Sequence, residues 1–361
     1  MSEACPPQGG ELLLSRRRLL VAGGIATAGL WLPGCGHGHR FAARAEVSEG
    51  TAPAETDPAA QLYVDRGADA TEVADRGDRI QVDPIRPPEL HWRAGQFITA
   101  VETDQPFYAG TLDDGPSPYN TYDILRAARK YNVKLSFAVV GIMARAFPEI
   151  LRAIYEDGHQ IINHSSRHTP YTSMGLAPQI AECQEIIYDI LGIYPEAARA
   201  PGLTRGAAYL AAVLAAGMYE VQTSWVTTDS SDPRPSAAVI LQQHIRGLVR
   251  GGIELNHDGG NRRPTSDAYD DMLAYASQVG ITSVRVDELI AMGTPLPLSG
   301  TYPNGSRTNR EGGLYAPEFV GAGCEFDVYQ ALKEALEYPY IKSVQRSRVV
   351  AELAELDLSK S

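Results

Sequence analysis

The sequence predicts an α/β fold: a distorted (β/α) barrel of about seven parallel strands, followed by a C-terminal loop-plus-helix extension. Short apolar segments alternate with longer segments of helical periodicity, and this order is typical of parallel strands joined by right-handed crossover helices. Polar clusters follow several strands, at the ends where parallel α/β folds form their sites. Seven repeated units favour a barrel, although the alternation alone is also compatible with an open, doubly wound sheet.

The predicted strands and helices alternate along the chain, each strand short and apolar and each helix with apolar residues at helical spacing. The strands are predicted at 107–112, 134–140, 160–163, 197–200, 219–225, 252–256 and 281–286. The helices between them are predicted at 122–130, 147–157, 176–191, 207–216, 237–249 and 269–278. Folded structure is expected to start near residue 96, where apolar runs with aromatic residues begin.

The chain divides into four predicted segments, at 1–35, 36–94, 95–294 and 295–361. Residues 36–94 are rich in Ala, Glu, Asp, Gly and Thr and have little apolar periodicity, which predicts a tether. The alternating strands and helices define a folded domain at 95–294. Beyond it, residues 295–323 are rich in Pro, Gly and Asn and predict a loop, and helices are predicted at 326–336 and 343–356. The role of this extension is unknown from the sequence.

The first 35 residues are typical of an export signal. An apolar stretch of about 13 residues follows Arg16-Arg17-Arg18; it is too short for a bilayer, which needs about 20 apolar residues, and it fits a signal-peptide core. The arginines resemble a twin-arginine signal, and Leu32-Pro33-Gly34-Cys35 resembles a lipobox. The resemblance implies lipidation of Cys35 and a membrane lipid anchor on the extracytoplasmic face. Plain cleavage with secretion, or an uncleaved anchor, are the alternatives.

Composition excludes some functions. The formal net charge of the 361 residues is −12 and no basic stripe is present, which argues against nucleic-acid binding; no protein partner is implied either. Of the four cysteines, Cys5 lies in the export segment and Cys35 in the lipobox, so Cys183 and Cys324 remain. Export would permit a disulfide between these two, and the sequence leaves their pairing open.

Two aspartates and two histidines form the most informative cluster. Asp113 and Asp114 follow the strand predicted at 107–112, and His164 and His168 follow the strand predicted at 160–163. Two imidazoles and one carboxylate can bind a divalent metal and leave positions open for water, and the second carboxylate is then available as a base. The pattern predicts metal-assisted hydrolysis. In isolation the aspartates would be read as turn residues ahead of Gly-Pro, and the histidines as loop or capping residues.

These strand ends resemble the polysaccharide deacetylase family, also called carbohydrate esterase family 4 or the NodB-homology domain. The resemblance covers residues 107–293, about half of the chain. Its specific motifs are Asp113-Asp114-Gly115-Pro116 and the His-Ser-x-x-His run from His164 to His168. The run Asp157-Gly158-His159 is also typical of the family.

The resemblance implies a role for each polar residue at the strand ends. Asp114, His164 and His168 would hold the metal, Asp113 would be the general base, and Arg199 would hold Asp113 in its ionised form. His257 would be the general acid, and Asp232 would orient it. The Gly202 N–H would donate a hydrogen bond to the oxyanion, and Leu255 would line the pocket for the acetyl methyl.

Two positions depart from the family pattern. The residue after Asp232 is Pro233, where the family usually has a tryptophan that forms a wall near the acid histidine. Trp225 is a candidate to replace that wall. The residue after Gly202 is Leu203, where glycine is more usual. Both changes concern specificity and the acid, and neither touches the metal ligands.

The resemblance implies a metal-dependent deacetylase that hydrolyses the acetamide of N-acetylated amino sugars in a cell-envelope or extracellular polysaccharide. Zinc is the first expectation for the metal, and the same ligands also suit cobalt, nickel or manganese. An O-acetyl esterase, for instance on acetylated xylan, is an alternative on the same fold. A non-catalytic glycan-binding lipoprotein is a second alternative, motivated by Pro233 and the unexplained C-terminal extension.

Overall fold

The computed structural model describes residues 97–169, 176–203, 207–297 and 326–358. The predicted export signal, including Cys35, and the predicted tether lie outside the described residues. Cys324 also lies outside them, while Cys183 is a buried free thiol. None of the described helices is both long enough and apolar enough to cross a membrane.

One curved sheet forms the centre of the described chain. Its strands are β1 Phe97–Glu102, β2 Phe107–Asp113, β3 Ser136–Val139, β4 Gln160–Asn163, β5 Ala197–Ala198, β6 Tyr219–Val221, β7 Trp225–Val226, β8 Ile253–His257, β9 Thr282–Ser283 and β10 Thr294–Pro297. Their order across the sheet is β10-β1-β6-β5-β4-β3-β2-β8-β7, with β9 beside β2. The pairs from β6 through β2 to β7 are parallel, as predicted, while β10 runs antiparallel to β1.

The strand predicted at 219–225 is two strands with different neighbours. β6 pairs with β1 and β5, and β7 pairs with β8. Between them the Gln222 N–H donates to Ile98 O, and the Ser224 N–H donates to Ile253 O. The Thr223 hydroxyl also bonds to Ile253 O at 2.7 Å. This break carries the chain from one side of the curled sheet to the other. The sheet forms a half-barrel, which confirms the distorted (β/α) barrel that the sequence predicts.

Helices pack around this half-barrel on its outer face, except that the apolar side chains of Val286–Ala291 join the core on the opposite face of the strands. They span Thr121–Tyr131, Gly141–Ala146, Pro148–Glu156, Leu176–Leu191, Ala207–Ala215, Ala237–Gly247, Arg263–Gln278, Val286–Ala291, Val328–Leu336 and Ser343–Leu358. The helix predicted from 269 begins earlier, at Arg263, with Pro264 in its first turn, where a missing N–H costs nothing. The strand predicted at 281–286 is shorter, because the Glu288 side chain accepts the Arg285 N–H and starts a helix.

The two C-terminal helices pack directly on the barrel. Their apolar side chains form one core with the helices Gly141–Ala146 and Pro148–Glu156. Leu332 and Val349 are fully buried there, and each such side chain contributes about 1.5–3 kcal/mol through removal from water. The predicted helices of the extension are confirmed. They are part of the same packed body as the strands.

Candidate metal centre and catalytic site

Parallel register brings the predicted site residues to one edge of the sheet. Asp113 at the end of β2 is paired with His257 at the end of β8. Asn163, which precedes His164, is paired with Ala198, which precedes Arg199. Because neighbouring parallel strands end at the same level, side chains from four separate segments meet at one place.

Asp114, His164 and His168 lie close enough to hold one metal ion. They are buried, and one ligand atom from each lies within 4.8 Å of the others. Asp114 Oδ1 is 3.4 Å from His164 Nε2 and 3.2 Å from His168 Nε2. This oxygen is buried without a hydrogen-bond partner, which is costly unless a cation or proton satisfies it. The three residues therefore fit a divalent metal.

The local backbone conformation positions the side chains of these candidate ligands. Asp114 has φ 75°, a left-handed conformation that aspartate tolerates better than most residues. A Cβ on Gly259 would collide with the Asp114 side chain, so this close approach requires glycine. His168 also has a positive φ, of 51°, and its N–H donates to Ser165 Oγ at 3.1 Å.

A hydrogen bond fixes the orientation of the His164 ring and the position of its proton. Its Nδ1 lies 2.8 Å from the Arg199 carbonyl oxygen, so Nδ1–H is the donor and Nε2 keeps its lone pair for a metal. His168 is buttressed differently, by the edge of the Phe326 ring at a centroid distance of 5.5 Å. Phe326 belongs to the C-terminal segment, so that segment contributes to the surroundings of a candidate ligand.

The pKa shifts of Asp114 and His168 suit a bound cation, whereas the shift of His164 opposes it. Burial raises the pKa of Asp114, but the nearby His168 and His164 more than offset it, and the pKa lies well below its usual range. Burial lowers the pKa of His168 to about 4. An ionised carboxylate beside a neutral imidazole is the state in which both bind metal. Burial lowers the pKa of His164, but the Asp113 and Asp114 carboxylates outweigh it and the net shift is upward, so a metal would displace a proton from this ring.

Asp113 is held by a buried arginine. Arg199 is fully buried, and its Nη1 donates to Asp113 Oδ1 at 2.7 Å and to Thr111 Oγ1 at 2.6 Å. Its Nε and Nη2 donate to the carbonyl oxygens of Val221 and Gln222. The other Asp113 oxygen, Oδ2, lies 3.6 Å from His164 Nε2, on the side of the candidate metal. The structure thus brings Arg199 and Asp113 together as the resemblance implied.

The prediction that Asp232 orients His257 is wrong. Asp232 is exposed, whereas Asp229 is buried and its Oδ1 lies 2.8 Å from His257 Nδ1. Asp229 Oδ2 accepts the His257 N–H at 2.7 Å and the Thr265 hydroxyl at 2.9 Å. Asp229, three residues after the end of β7, faces the end of β8, whereas Asp232, three residues further along the chain, is exposed. Burial lowers the pKa of His257, but the Asp229 carboxylate outweighs it, and the net shift is upward.

An apolar wall closes one side of the pocket. Leu203, Val226 and Leu255 form a small cluster, and these residues line the pocket together with Asp113, His257 and Gly202. The interior measures about 50 Å³, room for a few water-sized groups and too little for a sugar ring. Leu203 has φ 52°, a conformation that favours glycine, which explains why glycine is the more usual residue at this position.

Trp225 does not supply the wall near His257. Its indole N–H donates to Glu254 at 3.2 Å, and it packs so tightly that a Cβ on Gly247 or Gly252 would collide with its ring. It therefore lies in the layer behind β8. Near His257 the pocket is lined instead by Thr227, Thr228 and Ser230.

Sequence reasoning missed one further charged residue of the site. Arg262 is buried, and its Nη2 lies 3.2 Å from Asp114 Oδ2. Its Nε donates to the Gly259 carbonyl oxygen at 3.1 Å, so it ties the loop after β8 to the candidate metal ligand. No motif marks it, because its position depends on how the chain turns after His257.

The fold is an α/β half-barrel, and a candidate carboxylate–imidazole metal site lies at the carboxyl edge of its sheet. The chain belongs to the polysaccharide deacetylase family, whose model matches residues 100–221. It is 30% identical to a chitooligosaccharide deacetylase of Rhizobium leguminosarum bv. trifolii over 167 residues, covering 45% of this chain and 76% of that protein.

Two peptidoglycan deacetylases are also similar. The chain is 30% identical over 182 residues to a peptidoglycan-N-acetylglucosamine deacetylase of Listeria monocytogenes, covering 50% of this chain but only 38% of that relative's length. It is 27% identical over 203 residues to a peptidoglycan-N-acetylglucosamine deacetylase of Bacillus cereus, covering 54% and 93%.

One solved structure shares the fold at comparable identity. It is a crystal structure of a peptidoglycan N-acetylglucosamine deacetylase in complex with 4-naphthalen-1-yl-N-oxidanyl-benzamide. It superposes with a TM-score of 0.51 at 26% identity and covers 54% of this chain and 92% of that one.

Proposed function

We propose that this protein is a metal-dependent deacetylase that hydrolyses the acetamide of N-acetylated amino sugars in a polysaccharide and releases acetate. One observation carries the proposal: an arginine-bound carboxylate, Asp113, and an aspartate-bound imidazole, His257, line one pocket beside the Asp-His-His set. A base, an acid and a metal site around a small cavity are the parts that amide hydrolysis needs.

Asp114, His164 and His168 would hold the metal. The unpartnered Asp114 Oδ1 between two imidazole Nε2 atoms supports this assignment. A divalent cation bound there supplies Lewis acidity, which activates water and polarises the acetyl carbonyl. One oxygen and two nitrogens suit zinc first, and cobalt, nickel or manganese as alternatives.

Asp113 is the proposed general base. Arg199 occupies its Oδ1, so Oδ2 is the oxygen directed at the candidate metal side, and it takes the proton of the attacking water. The buried Arg199 guanidinium holds this carboxylate in place with a hydrogen bond of 2.7 Å. It also fixes the carboxylate through bonds to two backbone carbonyls, so the base needs no reorganisation during the reaction.

His257 is the proposed general acid. Asp229 accepts from Nδ1, which leaves Nε2 as the edge that delivers a proton to the departing amine. The raised pKa of His257 keeps the ring protonated at higher pH than a free imidazole. Asp229 is therefore a positioning residue, the role expected earlier for Asp232.

The wall of Leu203, Val226 and Leu255 is proposed to receive the acetyl methyl. The pocket interior of about 50 Å³ admits a small acyl group and keeps the sugar ring at its mouth. Gly202 also lines this pocket, where its N–H is proposed to donate to the oxyanion; one such donor is worth about 2.7–4 kcal/mol.

Peptidoglycan and chitooligosaccharides, the substrates named for the similar proteins, are the first candidates. Residues 95–294 are proposed as the catalytic domain, although β10 extends the sheet to Pro297. The sequence features of residues 1–35 support a further proposal of export and lipidation at Cys35. Mass spectrometry of the mature N-terminus tests it, and an unmodified residue other than Cys35 there contradicts the lipoprotein form.

Acetate release by the purified protein from a panel of glycans tests the function. The panel contains N-acetylglucosamine oligosaccharides, peptidoglycan fragments and acetylated xylan, each with chelator and with metal restored. We expect release from the N-acetylated substrates only when metal is present. Release from acetylated xylan alone would identify the O-acetyl esterase, and binding without release would identify the non-catalytic alternative.

The variants Asp113→Asn and His164→Ala distinguish loss of the general base from loss of the metal site. We expect Asp113→Asn to bind one metal ion and lose turnover, because the amide cannot take a proton. His164→Ala should lose both, since it removes a ligand. Metal content by elemental analysis, measured beside acetate release, distinguishes them, and equal activity in Asp113→Asn and the parent would falsify the base assignment.

A further inference from the structure

A groove rich in tyrosine lies outside the catalytic pocket. It is formed by the helix Thr121–Tyr131 and the residues just before it, by the loop after β8, and by the turn between the two C-terminal helices, and its volume is about 490 Å³. Binding sites for small organic ligands typically measure about 300–1,000 Å³. Four tyrosines line the groove, and we call it the tyrosine groove: Tyr119, Tyr122, Tyr338 and Tyr340.

The tyrosine rings are fixed at steep angles to one another. Tyr119 and Tyr338 meet with centroids 4.7 Å apart and planes at 65°, and Tyr338 and Tyr340 meet at 5.7 Å and 74°. The Tyr119 hydroxyl donates to the Glu334 carbonyl oxygen at 2.7 Å. Tyr340 is 37% exposed. Flat, amphipathic rings that are already held in place pack against the C–H face of a sugar and lose little entropy.

Polar groups beside these rings are held in position too. Asp123 lies between two arginines: Arg126 Nη2 is 2.7 Å from its Oδ1, and Arg263 Nη1 contacts its Oδ2. The same Arg263 nitrogen donates to the Tyr119 carbonyl oxygen at 2.9 Å. Asn261 adds an amide to the lining. Guanidinium, carboxylate and amide groups at the edge of aromatic rings suit the hydroxyls and acetamides of a neutral sugar chain.

The groove is continuous with the catalytic loop. His257 lines the catalytic pocket, whereas Asn261 and Arg263 line the groove. Four residues of extended chain reach at most about 14 Å, so the groove begins within that distance of His257. The C-terminal helices hold this loop, because the Asn261 N–H donates to Glu334 Oε2 at 3.3 Å.

We propose that the tyrosine groove binds sugar units of the polysaccharide that lie beyond the unit being deacetylated. This inference rests on the proposed function and adds to it: the chain acts on polymers in preference to short oligosaccharides. Tyr338 and Tyr340 lie outside the part of the chain that the family model matches. The groove thus gives the C-terminal extension a role, which is to complete a chain-binding surface beside the site.

Chain-length dependence tests the groove. Tyr338→Ala and Tyr340→Ala are compared with the parent on the dimer and the hexamer of N-acetylglucosamine. Removal of one aromatic contact should raise KM for the hexamer about tenfold and leave kcat and the dimer kinetics unchanged. The matched control is Tyr194→Ala, a tyrosine that is 50% exposed and absent from the groove. Equal effects on dimer and hexamer, or no effect on the hexamer, overturn the inference.

Binding measured without turnover separates the groove from the reaction. Hexamer is titrated by calorimetry into Asp113→Asn, and into the same protein carrying Tyr338→Ala, with thermal melts to establish folding. About tenfold weaker binding in the double variant supports the groove, even if the parent releases no acetate and the proposed function fails. If the parent releases acetate but the hexamer binds Asp113→Asn and the double variant equally well, the proposed function stands and the groove is rejected. The groove is also rejected if the hexamer does not bind Asp113→Asn.

Discussion

Two buried histidine–carboxylate pairs meet on strand β8, and only one of them opens to a pocket. His257 ends the strand and pairs with Asp229 at 2.8 Å. Glu254, three residues earlier, pairs with His244 of the helix Ala237–Gly247, also at 2.8 Å. Since residues three apart on a strand point to opposite faces, the two pairs lie on opposite sides of the sheet.

The two pairs differ in the surroundings of the histidine ring. His244 is fully buried, with the rings of Tyr108 and Tyr275 at 5.9 and 6.4 Å, and Glu254 also accepts from Trp225. His257 lines the cavity that contains Asp113 and the candidate metal ligands. The same histidine–carboxylate pairing therefore serves packing on one face and, in the proposed function, proton transfer on the other.

Among the residues of these two pairs, removal of the histidine that faces the pocket should give the largest effect on activity. His257→Ala leaves no group to protonate the amine, and we expect kcat/KM for acetate release to fall by about 10²–10⁴-fold. Metal content and the urea midpoint should remain close to those of the parent. A variant with full activity would show that the acid is another group.

Removal of the enclosed histidine should instead affect stability. His244→Ala leaves the Glu254 carboxylate buried without its partner and opens a cavity, and we expect a loss of about 3–5 kcal/mol in the free energy of unfolding. The matched control is Val239→Ala, on an exposed position of the same helix. Urea denaturation measures both. A loss of activity in folded His244→Ala, without a loss of stability, would contradict the division between the two pairs.

Removal of the carboxylate of the catalytic pair should move the pH profile. Burial lowers the pKa of His257 and Asp229 raises it above its usual value. In the proposed function the protonated ring is the active form, so we expect activity to fall as pH rises through this raised pKa. Asp229→Asn removes the largest contribution that opposes burial, and the alkaline limb of kcat/KM should move to lower pH. An unmoved limb would show that Asp229 does not set the proton affinity of the acid.

The smallest effect is expected at Asp232. This residue is exposed and does not contact His257 through any hydrogen bond that the described residues show. Asp232→Asn should leave kcat/KM and its pH dependence unchanged and should change stability by less than about 0.5 kcal/mol. A shifted alkaline limb in this variant would restore the assignment that the sequence alone suggested.

The bounds of helices are predicted best where the apolar period of the sequence matches the buried face of the helix. The helix Leu176–Leu191 has the predicted bounds because one face is apolar along its whole length. The helix Gly141–Ala146 was missed because nearly all of its residues are buried, and a short, uniformly buried helix shows no amphipathic period. The candidate metal ligands follow predicted strand ends, where parallel register brings them together.

The choice between two aspartates shows the limit of sequence reasoning. Asp229 and Asp232 both follow β7, and spacing offers no reason to prefer the first. The break between Val221 and Trp225 sets where the strand ends and which aspartate faces His257. That break depends on hydrogen bonds to β1 and β8, which are far away in the sequence. The position of Arg262 has the same origin.

Metal titration tests the central claim most directly. Zinc is titrated into the chelator-treated parent and into His164→Ala, His168→Ala and the control His159→Ala, and acetate release is followed in the same samples. The structure predicts one tightly bound ion in the parent and in the control, weak binding in the other two variants, and activity that rises in proportion to bound metal. Tight binding that survives both ligand substitutions, or full acetate release by the chelated parent, would contradict it.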